Sequence, residues 1–227
     1  ESTAQDGFLN APQIDDELDS LKLVATQTLD HSVISEVQYG VSLRDREKTK
    51  LSKGYFLTLD AFPNMLPVPA EYNRGSVSLD FIGMGNMIAY DSLGLVNDGF
   101  YLFTEETGAN HTTKSWTVEE EMTAAFINAS IDTEIAGKSL SGNFGLRYVD
   151  TDQSSLGNAI DASGVVTNRL SHSYNNVLPS LNLNLGLTDT QSLRLGVAKT
   201  ISRPRMDEMN ASFNISVNGT PDGNGNF

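Results

Sequence analysis

Alternation of apolar and polar side chains is clearest in the last third of the chain. Between residues 180 and 188 every odd-numbered position is a leucine, and every even-numbered position is polar or glycine. The alternation resumes with Leu193, Leu195 and Val197. Successive side chains of a β-strand point to opposite faces, so each run predicts a strand with one apolar face. Together they predict an antiparallel hairpin that turns at residues 188–191.

The apolar face also limits the register of this hairpin. Residues that oppose each other in an antiparallel pair point to the same side of the sheet, so odd positions must oppose odd positions. The compact solution is a three-residue loop at 189–191. The predicted partners are Leu187 and Leu193, Leu185 and Leu195, and Leu183 and Val197.

Two more hairpins follow from the same pattern. Alternating stretches before residue 50 predict a hairpin that turns at 30–32, and stretches after residue 115 predict one that turns at 136–139. In the latter, Gly137 and Lys138 supply a two-residue turn with glycine where a positive φ is needed. The predicted partners are Leu29 and Val33, Leu23 and Tyr39, Ile135 and Leu140, and Ile131 and Phe144.

The connectors between the predicted strands alternate in length. Short turns at 30–32, 136–139 and 188–191 separate long segments at about 47–115, at 151–173 and after residue 204; residues 1–19 are also predicted to be loop. Such alternation is typical of outer-membrane barrels, whose turns are short on one side and whose loops are long on the other. The predicted fold class is therefore all-β: an antiparallel meander of about six strands, part of a large transmembrane β-barrel with long extracellular loops.

Composition argues against several other classes of protein. The 227-residue chain has 15 Lys and Arg against 29 Asp and Glu, a net charge of −14, which is unlike a nucleic-acid-binding surface. It has no cysteine, and no apolar run approaches the ~18 residues of a membrane helix. It contains no nucleophile elbow, phosphate loop or zinc-protease motif, and its three histidines have no partner at metal-ligand spacing. We expect no enzymatic activity, no cofactor, no metal and no nucleic-acid partner.

Two segments of the chain have amino-acid sequences that resemble those of a known family. One runs from Tyr174 through Leu-Pro-Ser-Leu-Asn-Leu at 178–183 to Ile-Ser-Arg-Pro at 201–204, and the other is Gly-Asn-Phe-Gly-Leu-Arg-Tyr-Val-Asp-Thr at 142–151. Both resemble barrel strands of the TonB-dependent outer-membrane receptors. The resemblance covers roughly residues 20–50 and 115–205.

The resemblance implies a function and a location. Receptors of this family have a barrel of about 22 strands closed by an N-terminal plug, and they import a scarce nutrient with energy delivered through TonB. Residues 1–227 would be a partial barrel domain of such a receptor, without the plug or the TonB-contacting segment. The implied location is the Gram-negative outer membrane with the loops extracellular, and the implied partners are a small-molecule nutrient, membrane lipid, the plug domain and TonB. The nutrient would be an oligosaccharide or a ferric siderophore.

Two sets of candidate functional residues follow. Aromatic side chains of the long connector are candidates to stack on a ligand: Tyr55, Tyr72, Tyr101, Phe103 and Trp116. These aromatics could equally form the small core that keeps a long loop compact. Residues on the polar strand faces are expected to face the barrel lumen: Glu36, Arg44, Arg147, Asn182, Asn184 and Arg194.

A soluble β-sandwich, as in a surface adhesin or a carbohydrate-binding module, is the alternative. A sandwich packs its apolar faces against each other, whereas a barrel turns them outward to lipid. The two architectures therefore differ in what covers the leucine faces.

Overall fold

A computed structural model of the chain describes residues 5–30, 33–60, 66–161 and 164–214. The strands are β1 (Gly7–Asn10), β2 (Gln13–Thr28), β3 (Ile34–Leu51), β4 (Gly54–Thr58), β5 (Asn73–Ser78), β6 (Asn86–Tyr90), β7 (Leu102–Glu105), β8 (Trp116–Ile135), β9 (Lys138–Asp161), β10 (Gly164–Thr188), β11 (Gln191–Ala198) and β12 (Phe213–Asn214). The helices are α1 (Ser92–Asn97) and α2 (Ala109–Thr112), with 3₁₀ turns at Ala70–Tyr72, Asp80–Ile82 and Met206–Met209.

The chain divides into two compact units. One, which we call the insert unit, comprises Glu1–Gln13 and Ser52–Thr112; the other comprises Ile14–Leu51 and Thr113–Phe227. The insert unit contains a three-stranded sheet in the order β1-β4-β7 and the two-stranded ladder β5-β6. The long connector therefore has its own secondary structure, and its sheet recruits a strand from the segment before residue 14.

The second unit is built on a sheet in the order β11-β10-β9-β8-β3-β2, which we call the wall sheet. The pairs β11–β10, β10–β9, β9–β8 and β8–β3 are antiparallel. A short parallel pair joins β12 to β9. The predicted all-β meander of about six strands is confirmed. In the described part of the chain the sheet is open, with β11 and β2 at its edges.

The hairpin of β8 and β9 turns where predicted, but its predicted register is wrong by two residues. Ile131 lies opposite Gly142 rather than Phe144, and Ile135 lies opposite Lys138 rather than Leu140. The turn is formed by Ala136 and Gly137, with φ of 54° and 71°. Because a shift of two residues leaves every side chain on the same face, the alternation cannot distinguish the two registers.

The hairpin of β10 and β11 differs from its prediction in the same way. Leu185 lies opposite Leu193 rather than Leu195, and Leu183 lies opposite Leu195 rather than Val197. The predicted pair of Leu187 with Leu193 is also wrong. Thr188 pairs with Gln191 across a two-residue turn, and the register shifts between Gly186 and Thr188. This irregularity leaves Leu187 without a partner in the ladder, as a β-bulge does, and so preserves the parity of the faces.

The remaining predicted turn lies partly outside the described residues, which do not include 31 and 32. The Leu29 N–H donates to the Ser35 carbonyl near this turn at 2.9 Å. The pairs Leu29 with Val33 and Leu23 with Tyr39 stay predictions.

Two predicted loops are strands instead. The ladder of β9 and β10 continues through the predicted loop at 151–173 as far as the pair Asp161 and Gly164. Likewise β1 and most of the first half of β2 lie in the predicted loop at 1–19. For the parts of β2, β9 and β10 in these segments, the prediction is wrong because mostly polar residues occupy the face that is apolar elsewhere in the same strands.

Candidate functional site

The registers place all six predicted lumen residues on one face of the wall sheet. Glu36 and Arg44 oppose even-numbered residues of β8, and Arg147 opposes Phe126 on that same face. Asn182 lies opposite Asn143, with its amide donating to the Asn143 side chain at 3.0 Å, and Asn184 lies opposite Arg194. We call this the inner face and the opposite one the outer face.

The outer face carries a band of large apolar side chains beside the short turns. Thirteen of them, from five neighbouring ladders, are between 44% and 60% exposed. They are Leu21, Leu23, Tyr39, Val41, Leu43, Ile127, Phe144, Leu146, Tyr148, Val177, Leu193, Leu195 and Val197. A sandwich would bury such a band against a second sheet, whereas a lipid-facing wall leaves it open.

A row of carboxylates borders this band. On the outer face Asp45 lies directly opposite Glu121, and Glu121 lies directly opposite Asp152. Like charges in directly opposed positions repel, and hydrocarbon would not screen them, so this level of the sheet belongs in water. The row divides the wall sheet into a turn half, which carries the apolar band, and a tip half, which runs toward Asp161 and Gly164.

In the tip half the buried side chains lie on the inner face. Trp116 and Val118 pack with Met206 and Met209. The two methionines belong to residues 201–214, which we call the cover segment. A second inner-face cluster lies at and just beyond the acidic row on its turn side, where Met122 and Ala124 pack with Val149 and Leu178. Of this cluster, the Met122 sulfur accepts a hydrogen bond from Arg203 of the cover segment at 3.6 Å.

Polar contacts hold the cover segment on β8, β9 and β10. Arg203 forms an ion pair with Glu120 at 2.5 Å, and the other carboxylate oxygen of Glu120 accepts from Gln153 at 2.8 Å. The Ala211 N–H donates to the Ser155 hydroxyl at 2.8 Å, and the Ala211 carbonyl accepts from Asn168 at 2.9 Å. Both oxygens of the largely buried Glu120 are therefore satisfied, and the segment is fixed at both ends.

Close approach of the cover segment requires glycine at position 157. A Cβ on Gly157 would lie well inside van der Waals contact with the backbone nitrogen and hydroxyl of Ser212. The Ser212 hydroxyl in turn donates to the Ser115 carbonyl at 3.0 Å. Gly157 therefore serves a packing role inside a strand, within the segment 151–173 that the sequence predicts to be a loop.

A cavity of about 380 Å³ lies beside the cover segment on the inner face. Four of its lining residues are cationic and one is acidic: Lys48, Lys50, Lys114 and Arg205 against Asp207. Lys48 and Lys50 lie opposite Val118 and Trp116 in the β3–β8 ladder, which places both on the inner face. In a chain with net charge −14, this is a local excess of three positive charges.

The five aromatic candidates do not form one cluster. Tyr55 packs edge-to-face on Phe103 at 6.0 Å in the insert unit, and Tyr72 packs similarly on Phe100 at 5.7 Å. Trp116 belongs to the wall sheet, where it is 8% exposed and lines the cationic cavity. Tyr101 lies next to Phe100 in the insert unit, where burial raises the pKa of its hydroxyl.

Two carboxylates fix the helical part of the insert unit. Asp98 accepts a hydrogen bond from the Tyr72 hydroxyl at 2.6 Å, which raises the pKa of Tyr72 to about 12. Asp91 accepts from the Gly94 N–H at 2.8 Å and pairs with Arg74 at 2.7 Å, and these contacts lower the pKa of Asp91. The Tyr72 side chain is thus oriented by contacts at its hydroxyl and at its ring.

The cover segment and the cationic cavity were missed by sequence reasoning. The available signal was a loss of the pattern: on β9 the large apolar residues up to Tyr148 are at even positions, and beyond Val149 small and polar residues interrupt the alternation. The lysines at even positions of β3 were a second signal.

No helix among the described residues has the length and hydropathy needed to cross a membrane. Those residues also contain no group of three or more His, Cys, Asp or Glu side chains that could hold a metal ion.

Comparison with known proteins identifies a family. Neither the curated proteins nor the solved structures gave a match. A family model described as "TonB dependent receptor-like, beta-barrel" matches residues 4–227. Because the match covers nearly the whole chain, and the all-β wall sheet agrees with it, the chain belongs to the TonB-dependent receptor-like β-barrel family.

Proposed function

We propose that this chain forms part of the wall and mouth of an outer-membrane receptor that captures a scarce nutrient and imports it with energy supplied through TonB. Family membership supports the outer-membrane receptor class. One observation supports the proposed placement of the sheet across the membrane. In the turn half the outer face has an open apolar band, whereas in the tip half the inner face is covered and lined by cations.

In this proposal the apolar band contacts lipid and the inner face of the turn half lines the lumen. Glu36, Arg44, Arg147, Asn182, Asn184 and Arg194 then face water or a plug domain. The open edges at β2 and β11 support pairing with further strands of a larger barrel, because an unpaired edge leaves backbone groups unsatisfied. The tip half and the insert unit are then extracellular.

The insert unit is the proposed first contact for the ligand, an oligosaccharide or a ferric siderophore. It is larger than a connector requires, and functional residues concentrate on such loops. Replacing residues 52–112 by a short Gly/Ser turn in the complete receptor should leave membrane insertion intact and abolish high-affinity capture. Ligand binding to whole cells, with surface receptor quantified in parallel, measures this effect. Unchanged affinity would move the capture site out of the insert unit.

Single alanine substitutions separate stacking from packing. Alanine at Tyr101, Phe103 or Trp116 should weaken ligand binding by about 1–3 kcal/mol if the ring stacks on ligand. A ring that only packs its neighbours should change stability and leave the affinity of the folded receptor nearly unchanged. Phe56→Ala is the matched control for lost packing, because Phe56 packs edge-to-face on Phe8 at 5.5 Å and neither ring is a ligand candidate.

Transport is tested apart from capture. Uptake of the nutrient should stop in cells that lack TonB, while binding to the cell surface continues. Uptake that persists without TonB would contradict the proposed energy coupling.

A further inference from the structure

We propose that the cationic cavity of the tip half binds a carboxylate group of the cargo, so that the receptor selects an anionic nutrient. This inference rests on the proposed function and adds the chemical class of the ligand. Carboxylate is the chemistry shared by an acidic oligosaccharide and a carboxylate-type ferric chelate.

The positive charge of the cavity is not neutralised by its surroundings. Asp16 pairs with Lys48 at 3.3 Å, but it also binds Arg46 through both of its oxygens, at 2.7 and 2.8 Å. One carboxylate therefore serves two cations. Asp207 is likewise engaged by Arg205, at 2.8 and 3.1 Å.

Lys50 and Lys114 are the two cations of the cavity left for a ligand. Within the described ranges neither ammonium has a carboxylate within 4.0 Å. The nearby acids do not supply one, because Glu119 lies on the outer face, where it accepts from Ser154, and Glu120 is paired with Arg203 on the inner face. Two ammonium groups that open into one cavity form a charge-assisted site for an anion.

The cover segment and β8 shape the cavity. The Asn210 amide donates to the Asp207 carbonyl at 2.6 Å, which fixes one side of the opening, and Trp116 closes another side with an apolar surface. The volume of about 380 Å³ lies in the range of small-ligand sites and would hold one or two sugar rings or a compact chelate. Walls of low dielectric strengthen the attraction between the lysines and a bound carboxylate.

The test measures binding to the complete receptor that contains this chain, purified in detergent, by titration calorimetry. The probes are trigalacturonate, ferric citrate and the neutral trisaccharide maltotriose. The double variant Lys50→Gln/Lys114→Gln removes both charges and nearly preserves side-chain volume. The matched control is Lys199→Gln, an exposed lysine of the same unit that does not line the cavity.

The double variant should bind its carboxylate probe at least about tenfold more weakly, because each lysine contributes a charge-assisted contact. The control should bind as the natural receptor does, and affinity should fall as salt is raised. Lysine-dependent binding of trigalacturonate identifies an acidic oligosaccharide as the source of the carboxylate, and lysine-dependent binding of ferric citrate identifies a chelate.

Two results would overturn the inference. In one, a carboxylate probe binds the double variant as tightly as the natural receptor; in the other, the natural receptor binds only maltotriose or no probe. TonB-dependent uptake of a neutral nutrient would leave the proposed function standing while this inference falls. Conversely, lysine-dependent binding without TonB-dependent uptake would uphold the cavity assignment and refute the proposed transport.

Discussion

The turn half and the tip half of the wall sheet use the same strands and the same registers, yet they present opposite faces for burial. In the turn half the exposed apolar band is on the outer face, and the inner face is mostly polar. In the tip half the outer face carries the acidic row of Asp45, Glu121 and Asp152, and the inner face is buried beneath the cover segment.

The difference shows that the surroundings of a strand, and not the strand itself, decide which of its faces carries the apolar side chains. Where a strand is surrounded by lipid, its apolar side chains are favoured on the outer face, in contact with hydrocarbon. Where the same strand is surrounded by water, its apolar side chains are favoured on the inner face, where they are buried. On β9 this change of face occurs between Tyr148 and Val149, which are adjacent residues on opposite faces. The boundary of the proposed membrane segment thus lies where the apolar or buried positions of β9 change from the outer to the inner face.

The largest expected effect comes from placing a charge in the apolar band. Leu146→Arg should reduce the stability of the membrane-inserted receptor by roughly 2–4 kcal/mol, because the guanidinium would face lipid. Urea-dependent folding of the complete receptor into lipid vesicles measures the change. The matched control is Glu121→Arg on the same face of the tip half, which should fold normally. Equal losses in both variants would refute a boundary between the two halves.

Breaking the ion pair under the cover segment should have the next largest effect. Arg203→Met leaves the buried Glu120 carboxylate without its cation and should destabilise the tip half by about 2–3 kcal/mol. The loss is smaller than for a fully buried pair, because the Arg203 side chain is 29% exposed. Hydrogen exchange of residues 201–214 reports it. Adding Glu120→Gln should restore part of the protection, and no recovery in the double variant would contradict the pairing.

Gly157→Ala tests the close approach of the cover segment. The added methyl group collides with Ser212, so the segment should be displaced at a cost of roughly 1–2 kcal/mol. Limited proteolysis within residues 201–214 should become faster. Gly186→Ala is the control, since the nearest atom to its Cβ would be 3.6 Å away. Equal proteolysis rates in the two variants would show that the segment does not need this contact.

The smallest expected effect is a gain in stability. Thr151 is 1% exposed, and its hydroxyl has no hydrogen-bond partner among the described residues. Thr151→Val keeps the shape and removes the unsatisfied group, so the tip half should become more stable by about 1 kcal/mol. The same hydrogen-exchange measurement detects the gain. A loss of stability would show that the hydroxyl is satisfied and that this part of the inner face is wetter than its burial indicates.

The sequence by itself determined the strands of the turn half, their faces and the positions of the turns at 136–139 and 188–191. Period-two alternation encodes which residues share a face, and for this reason all six predicted lumen residues do lie on one face. The sequence could not determine the registers, because shifts of two residues preserve the alternation. Ala136 at positive φ and the bulge at Leu187 are backbone choices that the pairing of whole strands decides.

Only the tertiary structure decided the tip half. Residues 151–161 of β9 lack the apolar alternation of the turn half, because small and polar residues such as Ser155 and Gly157 fit beneath the cover segment. The cationic cavity combines lysines of β3 with Lys114 and with Arg205 of the cover segment, residues far apart in the chain. Their charges meet only because the segment after β11 folds back over β8 and β9, where apolar burial and the pair of Arg203 with Glu120 stabilise it.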